Sequence, residues 1–487
     1  MRNKRRNQFG NRAAATAALL GLCAAGVIGV SVYAAQAVRT QSDPAAQDTV
    51  QNAAEQSGEP QEEERTLMVS DLSGQSADLD GAGETARTAS GDDGIAAEEA
   101  RETAQETGTA EARSGAASED TASRGSFAGE AADQLLPEQK ALLREYMERY
   151  YESLSELEPR ELSDLFTQTE EAAQQVLMNG SAISYVTGLR AMQNTDLSLA
   201  DYRYEMDVTQ VSTAADGTVE ISMTETSTQN FAQHPEVDTQ LYNIRHYFVM
   251  RETEDGWRIE EHLQRDGFYW RLLGNYWNWE GRELDVPEPE TYFAQRVDTL
   301  LEEARAGRDQ RLEEVEESAV SAQHPYLRDE AVAYSDTWVG TRNTQWSDFT
   351  GRGGNCQNFV SQCLLAGGIP MDSQGAAVWS WNSEADSTTS WINVNEFYRY
   401  VRENEGYGLA ASGDAPYYEG ERGDLIRMGS EGNWNHIVII AEVVRDEDGN
   451  TVDYLINSNT SDLKNFPVSA YPDPQQRLMK IYGWNEN

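Results

Sequence analysis

Residues 353–368 read GGNCQNFVSQCLLAGG, and the reading of the whole chain turns on them. Two glycines permit a tight turn, Asn355 suits an N-cap, and Phe359, Val360, Cys363 and Leu364 continue one apolar face at helical spacing. Gly367-Gly368, with Pro370 beyond, ends the helix. Cys356 therefore falls in the first turn, where the helix dipole and free N–H groups favour a thiolate and can hold an oxyanion. Asn355, Gln357 and Asn358 are the candidate side-chain donors for oxyanion or substrate. The competing reading makes Cys356 a small buried hydrophobe at the head of an apolar stripe. Cys363, mid-helix and within that stripe, reads as core.

A nucleophilic cysteine needs a base. In the last part of the chain the histidines are His324, beside Pro325, and His436, which opens the apolar run NHIVIIAEVV. That run reads as a central strand, paired as a hairpin with the preceding GDLIRMG. The next strand, DYLINSNTSD, places Asn457 and Asn459 on one face and Ser458 on the other. An asparagine carbonyl accepting from the imidazole would fix its tautomer. Each asparagine has a plainer alternative, satisfying a turn at the end of a strand.

The rest of the chain changes character several times. Its 83 acidic and 38 basic residues give a net charge of −45, which excludes a large nucleic-acid footprint. Residues 1–38 join a basic head, MRNKRRNQFGNR, to an uncharged apolar run, predicting a signal peptide or an N-terminal membrane anchor. Ala35-Gln36-Ala37 has the small residues of a cleavage site. Either form puts the remainder outside the membrane, at the cell surface or secreted. Cys356 and Cys363 would then be the exported thiols, roughly 10 Å apart at helical rise and too distant for a disulfide.

Residues 39–132, rich in Ala, Glu, Gly, Ser and Thr, predict a disordered acidic tether. Residues 133–288 begin with helical periodicity and pass into alternating strands with Asp216-Gly217 and Asp255-Gly256 at turns. This predicts a separate α+β module with a curved antiparallel sheet, similar in pattern to the nuclear-transport-factor-like folds. Its His234, His246 and His262 read as ordinary surface or core histidines. Residues 289–318 read as a charged connector helix, and the last domain spans 319–487. No metal-ligand spacing and no phosphate-cradling glycine loop occurs, so no cofactor is expected.

From Tyr326 to Trp484 the sequence resembles the bacterial putative amidase domain (amidase family six), grouped with papain-like, NlpC-type and CHAP cysteine hydrolases. The matching stretches are YLRDEAVAYSDTW, GGNCQNFVSQCLLAGGIPM, SWINVNEFYRYV, GDLI, NHIVIIAEV and INSNTSD. The resemblance implies a papain-like domain in which the nucleophile helix packs on an antiparallel sheet, so the fold class is α+β throughout. It implies Cys356 as nucleophile, His436 as general base and Asn459, then Asn457, as orienter. Two positions depart from the family pattern. Asn355 stands where Asp is common, and Asn459 stands where the family carries the histidine of a His-Thr-x-Asp pattern. Asp424, in the Gly-Asp turn, reads as structural.

The expectation is an exported cysteine amidase or peptidase that forms an acyl-enzyme on Cys356. Its partners would be a peptide or amide substrate, with peptidoglycan among the candidates, and the membrane through the N-terminal segment. The alternative is a catalytically inactive surface binder or scaffold on the same fold, presenting Trp379, Trp381, Trp391 and Trp434 to a ligand.

Overall fold

The computed structural model describes residues 124–486 apart from 280, 283 and 316–318, and the expected apolar N-terminal segment lies outside them. The described residues begin at Arg124, within the stretch expected to be tether, and strand β1 (Gly125–Ala128) pairs in parallel with β2 (Leu199–Thr213). Helix α1 (Pro137–Glu156) starts on a proline, whose missing N–H costs nothing there. It buries Leu143, Met147, Tyr151 and Leu154 at steps of three and four. Helix α2 (Glu170–Ala191) is capped by Thr169, whose Oγ1 accepts from the Ala172 N–H at 3.1 Å.

Strands β2, β3 (Val219–Phe231), β4 (Thr239–Thr253) and β5 (Gly256–Arg265) form the predicted antiparallel meander. Helix α3 (Gly267–Leu273) follows, and then α4 (Pro289–Gln310), the segment read as a connector. Its Phe293, Leu300 and Ala304 pack with Met178, Tyr185 and Leu189 of α2 in one small core.

After the two-residue β6 (His324–Pro325), helices α5 (Arg328–Trp338) and α6 (Cys356–Ala366) pack together. The ribbon β7–β8 (Trp381–Ser383, Asp386–Ser387) and helices α7 (Thr389–Ile392) and α8 (Val394–Glu403) come next. The chain ends in β9 (Gly408–Ala415), β10 (Leu425–Ser430), β11 (Asn433–Arg445), β12 (Thr451–Ser458), β13 (Asp462–Pro467) and β14 (Gln475–Asn485).

The two sheets expected as separate units meet edge to edge. Gln240–Tyr242 of β4 pairs antiparallel with Asp462–Lys464 of β13, so one twelve-stranded sheet runs β1-β2-β3-β4-β13-β12-β11-β10-β14-β6, with β5 on β4 and β9 on β14. Strand β11 is buried on both faces. Ile437, Ile439 and Ala441 pack under α6 and α8, while Val438 and Ile440 join the core that α1 and the meander share with Ile456 and Leu478. This is why its sequence is an unbroken apolar run rather than an alternation.

Candidate functional site

Gly353 and Gly354 adopt φ of 106° and 93°, a left-handed turn that lets the chain enter α6 abruptly. Asn355 occupies the N-cap, but its side chain does not cap the helix. Its Oδ1 accepts from the Phe349 N–H (3.1 Å) and from Asn358 Nδ2 (2.8 Å), and its Nδ2 donates to Asn459 Oδ1 at 2.7 Å. The Asn355 N–H donates to Thr460 Oγ1 at 2.9 Å, so the turn before the cysteine is stitched to the end of β12.

Cys356 follows as the first residue of α6, 6% exposed, with Sγ 3.9 Å from the Asn435 carbonyl oxygen. Burial pushes its thiol up to about 11, outweighing the N–H groups of Ile437 and Gln357, which favour the thiolate. The sequence predicted the opposite direction. The helix terminus is present, yet desolvation is the larger effect. Cys363 is fully buried in the core under α6, as its place in the stripe predicted.

His436 is 8% exposed, and burial lowers its imidazole to about 4. It pairs with Met428 across the hairpin, beside a register shift at Met428/Gly429. Strand alternation groups it with Val438 and Ile440, on the face away from α6. Its partners lie there too. Nε2 sits 3.0 Å from Ser458 Oγ and 2.9 Å from the Tyr471 hydroxyl, with the Tyr471 ring stacked at 5.3 Å. Among the described residues no hydrogen bond engages Nδ1, which leaves that nitrogen available as a base.

The asparagines expected to orient His436 face the other way. Asn459 accepts from Asn355 and donates to the Val339 carbonyl at 3.3 Å. Asn457 donates to Ser335 Oγ (2.7 Å) and Asp336 (2.9 Å) and accepts from the Asn465 N–H. Ser458 and Tyr471 take the orienting place instead. The alternation of β12 already set Ser458 apart from its neighbours; Tyr471, in the loop YPDP, carries no signal in the sequence. The candidate donors on α6 are likewise committed elsewhere. Gln357 donates to Ser361 Oγ, and Asn358 donates to the Ser347 carbonyl while accepting from Trp391 Nε1.

Cys356 and His436 nonetheless line one cleft of about 560 Å³, the thiol of Cys356 lying against the carbonyl of Asn435, the residue before His436. Gly353, Gly354, Asn435, Thr460 and Tyr471 line it from the last part of the chain, and Tyr150, Arg190, Gln229, Arg245 and Phe268 from the part before α4. At the junction Arg342 holds Asp462 through both oxygens, at 3.1 and 3.2 Å, and Asp462 also accepts from Asn243. Asp424 accepts from Arg328 and the Ile481 N–H, a structural post under β14.

The tryptophans expected at a binding surface divide. Trp379 and Trp391 are sealed in the core, stacked 4.7 Å apart, whereas Trp381 and Trp434 are half-buried. His324 stacks on Trp484 at 4.0 Å. His246 and His262 touch each other at 3.1 Å inside the meander, in a buried chain from Glu225 to Asn179.

Comparison with known proteins adds three findings. An uncharacterized protein of Bacillus subtilis (strain 168), YhbB, is 28% identical over 226 residues, which is 45% of this chain and 65% of that protein. The match therefore spans just under two thirds of the relative's length. A crystal structure described as a putative aromatic ring hydroxylase from Novosphingobium aromaticivorans aligns over 27% of this chain and 90% of its own, at 14% identity and a TM-score of 0.19, too slight to bear on fold or function. Residues 325–482, which hold Cys356 and His436 alike, match the family described as the putative amidase domain.

Proposed function

We propose that this protein is a cysteine-dependent amide hydrolase, working outside the membrane on peptide amides of the cell-wall type. The observation that carries the reading is the shared cleft. A cysteine at a helix start and a histidine with an unengaged Nδ1 open onto the same space, within the stretch that matches the amidase family.

At rest both groups are neutral, the thiol near 11 and the imidazole near 4. Proton transfer therefore accompanies attack rather than preceding it. As Sγ bonds to the amide carbonyl carbon, its proton passes to His436 Nδ1, and the carbonyl electron pair moves onto oxygen. N–H groups at the start of α6 are the donors nearest that oxygen. The C–N bond then breaks, the imidazolium proton goes to the departing amine, and a thioester remains on Cys356. Water adds to the thioester with its proton taken by the same imidazole, releasing the acid and the thiol. Ser458 and Tyr471 hold Nε2 throughout and leave Nδ1 free to take the proton.

The test is release of primary amine from peptidoglycan-derived peptides by the full chain, by Cys356→Ala and by His436→Ala. Loss in both variants supports the reading; undiminished release by Cys356→Ala refutes it. A second reading, a binding domain without turnover, is favoured by two observations: the deep burial of the thiol and the strand alternation that turns His436 from α6. It predicts no release by the wild type and unaltered wall binding by Cys356→Ala.

A further inference from the structure

Arg190 stands in the last turn of α2, the negative end of the helix dipole, and is 3% exposed on the cleft wall. Its guanidinium carbon lies 4.9 Å over the Phe231 ring. Nη2 reaches only Gln229 Oε1, at 3.5 Å, and neither Nε nor Nη1 has a hydrogen-bond partner among the described residues. A buried guanidinium without an acidic partner is costly, since it has surrendered its hydration and gained little in exchange.

Two other arginines lining the cleft are matched, while Arg245 is exposed and Arg265 lies over the Trp279 ring. Arg271 meets Glu303 and Asp473, and Arg342 meets Asp462 and Asp348. Two acids that, like Arg190, act on Tyr150 are also spent. Asp266 caps α3 by accepting from the Tyr269 N–H and from Gln264, and Glu225 accepts from Tyr151 and contacts His246. Among the described residues lining the cleft, Arg190 is the one buried arginine without an acidic partner.

We propose that Arg190 is the anchor for a carboxylate on the ligand that fills this cleft, so that the amide cleaved belongs to a molecule bearing a free carboxyl group. The two oxygens of a carboxylate match paired guanidinium N–H groups, and a single negative charge neutralises a single unpaired cation. A phosphate dianion would bring a second charge that Arg190 alone does not offset. The Phe231 face beneath the guanidinium and the neighbouring Gln229 amide fix its plane. The anchor lines the same cleft as Cys356 but stands on α2, in the first half of the chain, rather than on the cysteine-bearing layer. This gives the first half of the chain a direct part in choosing the substrate. Calling the ligand a substrate rests on the hydrolase reading; the carboxylate site itself does not.

The test uses full-length Cys356→Ala protein, which cannot turn a ligand over. Its thermal midpoint is followed at pH 7.5 and matched ionic strength in chloride, acetate, N-acetylalanine, N-acetylalaninamide and inorganic phosphate. At saturation N-acetylalanine raises the midpoint by roughly 2 °C, acetate does so less, and the neutral amide does nothing. Adding Arg190→Met abolishes the rise, and adding Arg190→Lys keeps part of it. Calorimetric titration with N-acetylalanine repeats the comparison on any variant whose melting is irreversible. Equal stabilisation by the neutral amide, a larger one by phosphate, an unchanged rise with Arg190→Met, or no rise at all overturns the proposal. If the rise depends on Arg190 while the wild type releases no amine, the carboxylate site stands and the hydrolase reading falls.

Discussion

The resting state of Cys356 can be tested by the rate at which it is alkylated. Burial holds the thiol near 11, so at pH 7.5 about 3 molecules in 10,000 carry the thiolate, against roughly one in ten for an ordinary cysteine near 8.5. Iodoacetamide should therefore modify Cys356 about 300-fold more slowly than a cysteine in an unstructured peptide, before any hindrance of access is counted. The rate should climb tenfold per pH unit from pH 6 to 10 without a plateau. His436→Ala should change it less than twofold, because an imidazole near 4 is neutral throughout that range. The assay is mass spectrometry of the Cys356-containing peptide after timed quenching, with a free cysteine peptide in the same tube. A plateau below pH 8, or a tenfold fall in His436→Ala, would mean a standing thiolate–imidazolium pair and would refute the argument. The gap of about seven pH units between the two groups sets ~10 kcal/mol against such a pair before their mutual attraction is counted. Only a large reorganisation could reverse that.

Two other perturbations follow from the same geometry. His436 is held neutral when folded and charges more easily when unfolded, so its contribution is complete above pH 6.5 and is lost as pH falls toward 4. His436→Gln should flatten the acid loss of denaturant stability by about 3 kcal/mol between pH 7.5 and 4; an equally steep loss in the variant would count against a buried neutral imidazole. Gly307→Ala would ordinarily strengthen α4 by about 1 kcal/mol, but here a Cβ would stand 1.9 Å from the Pro474 carbonyl oxygen. A net loss of about 1–3 kcal/mol is expected in urea melts, and a gain would mean that α4 does not press on this loop.

What could be read from the sequence was local. The cysteine helix was bounded by its asparagine and paired glycines and runs Cys356–Ala366 as those signals implied. The hairpin bringing in His436 and the meander with glycines at Gly217 and Gly256 followed from period and turn chemistry. The pairing of Gln240–Tyr242 with Asp462–Lys464 joins segments more than two hundred residues apart. Edge strands announce a free backbone but not the partner that completes it. The same limit explains the missed neighbours of His436. Alternation says which residues share a face, and it set Ser458 apart from the asparagines. Which face the histidine takes depends on the register shift beside it and on Tyr471, delivered by a loop with no periodicity. Nor could Arg190 be singled out, because a lone arginine near a helix end reads as surface until the sheet closes over it.

The two departures from the family pattern turn out to be one contact, and this makes them testable together. Asparagine replaces the common aspartate at 355 and the common histidine at 459, and these two side chains meet at 2.7 Å with both residues buried. An amide pair thus sits where the pattern would place a carboxylate against an imidazole, and it joins the turn before the nucleophile to the end of β12. Asn355→Asp alone sets a buried carboxylate against Asn459 Oδ1, and turning that amide to donate would forfeit its bond to the Val339 carbonyl. Asn459→His alone forces a larger ring into a fully buried site. Each should cost about 1–3 kcal/mol. Together they rebuild a hydrogen-bonded acid–imidazole pair, so the double variant should be more stable than the sum of the single losses by at least about 1 kcal/mol. Urea melts of the four proteins measure the coupling. Strictly additive losses would mean that the two positions changed independently, and that the link between them does not hold the cysteine turn.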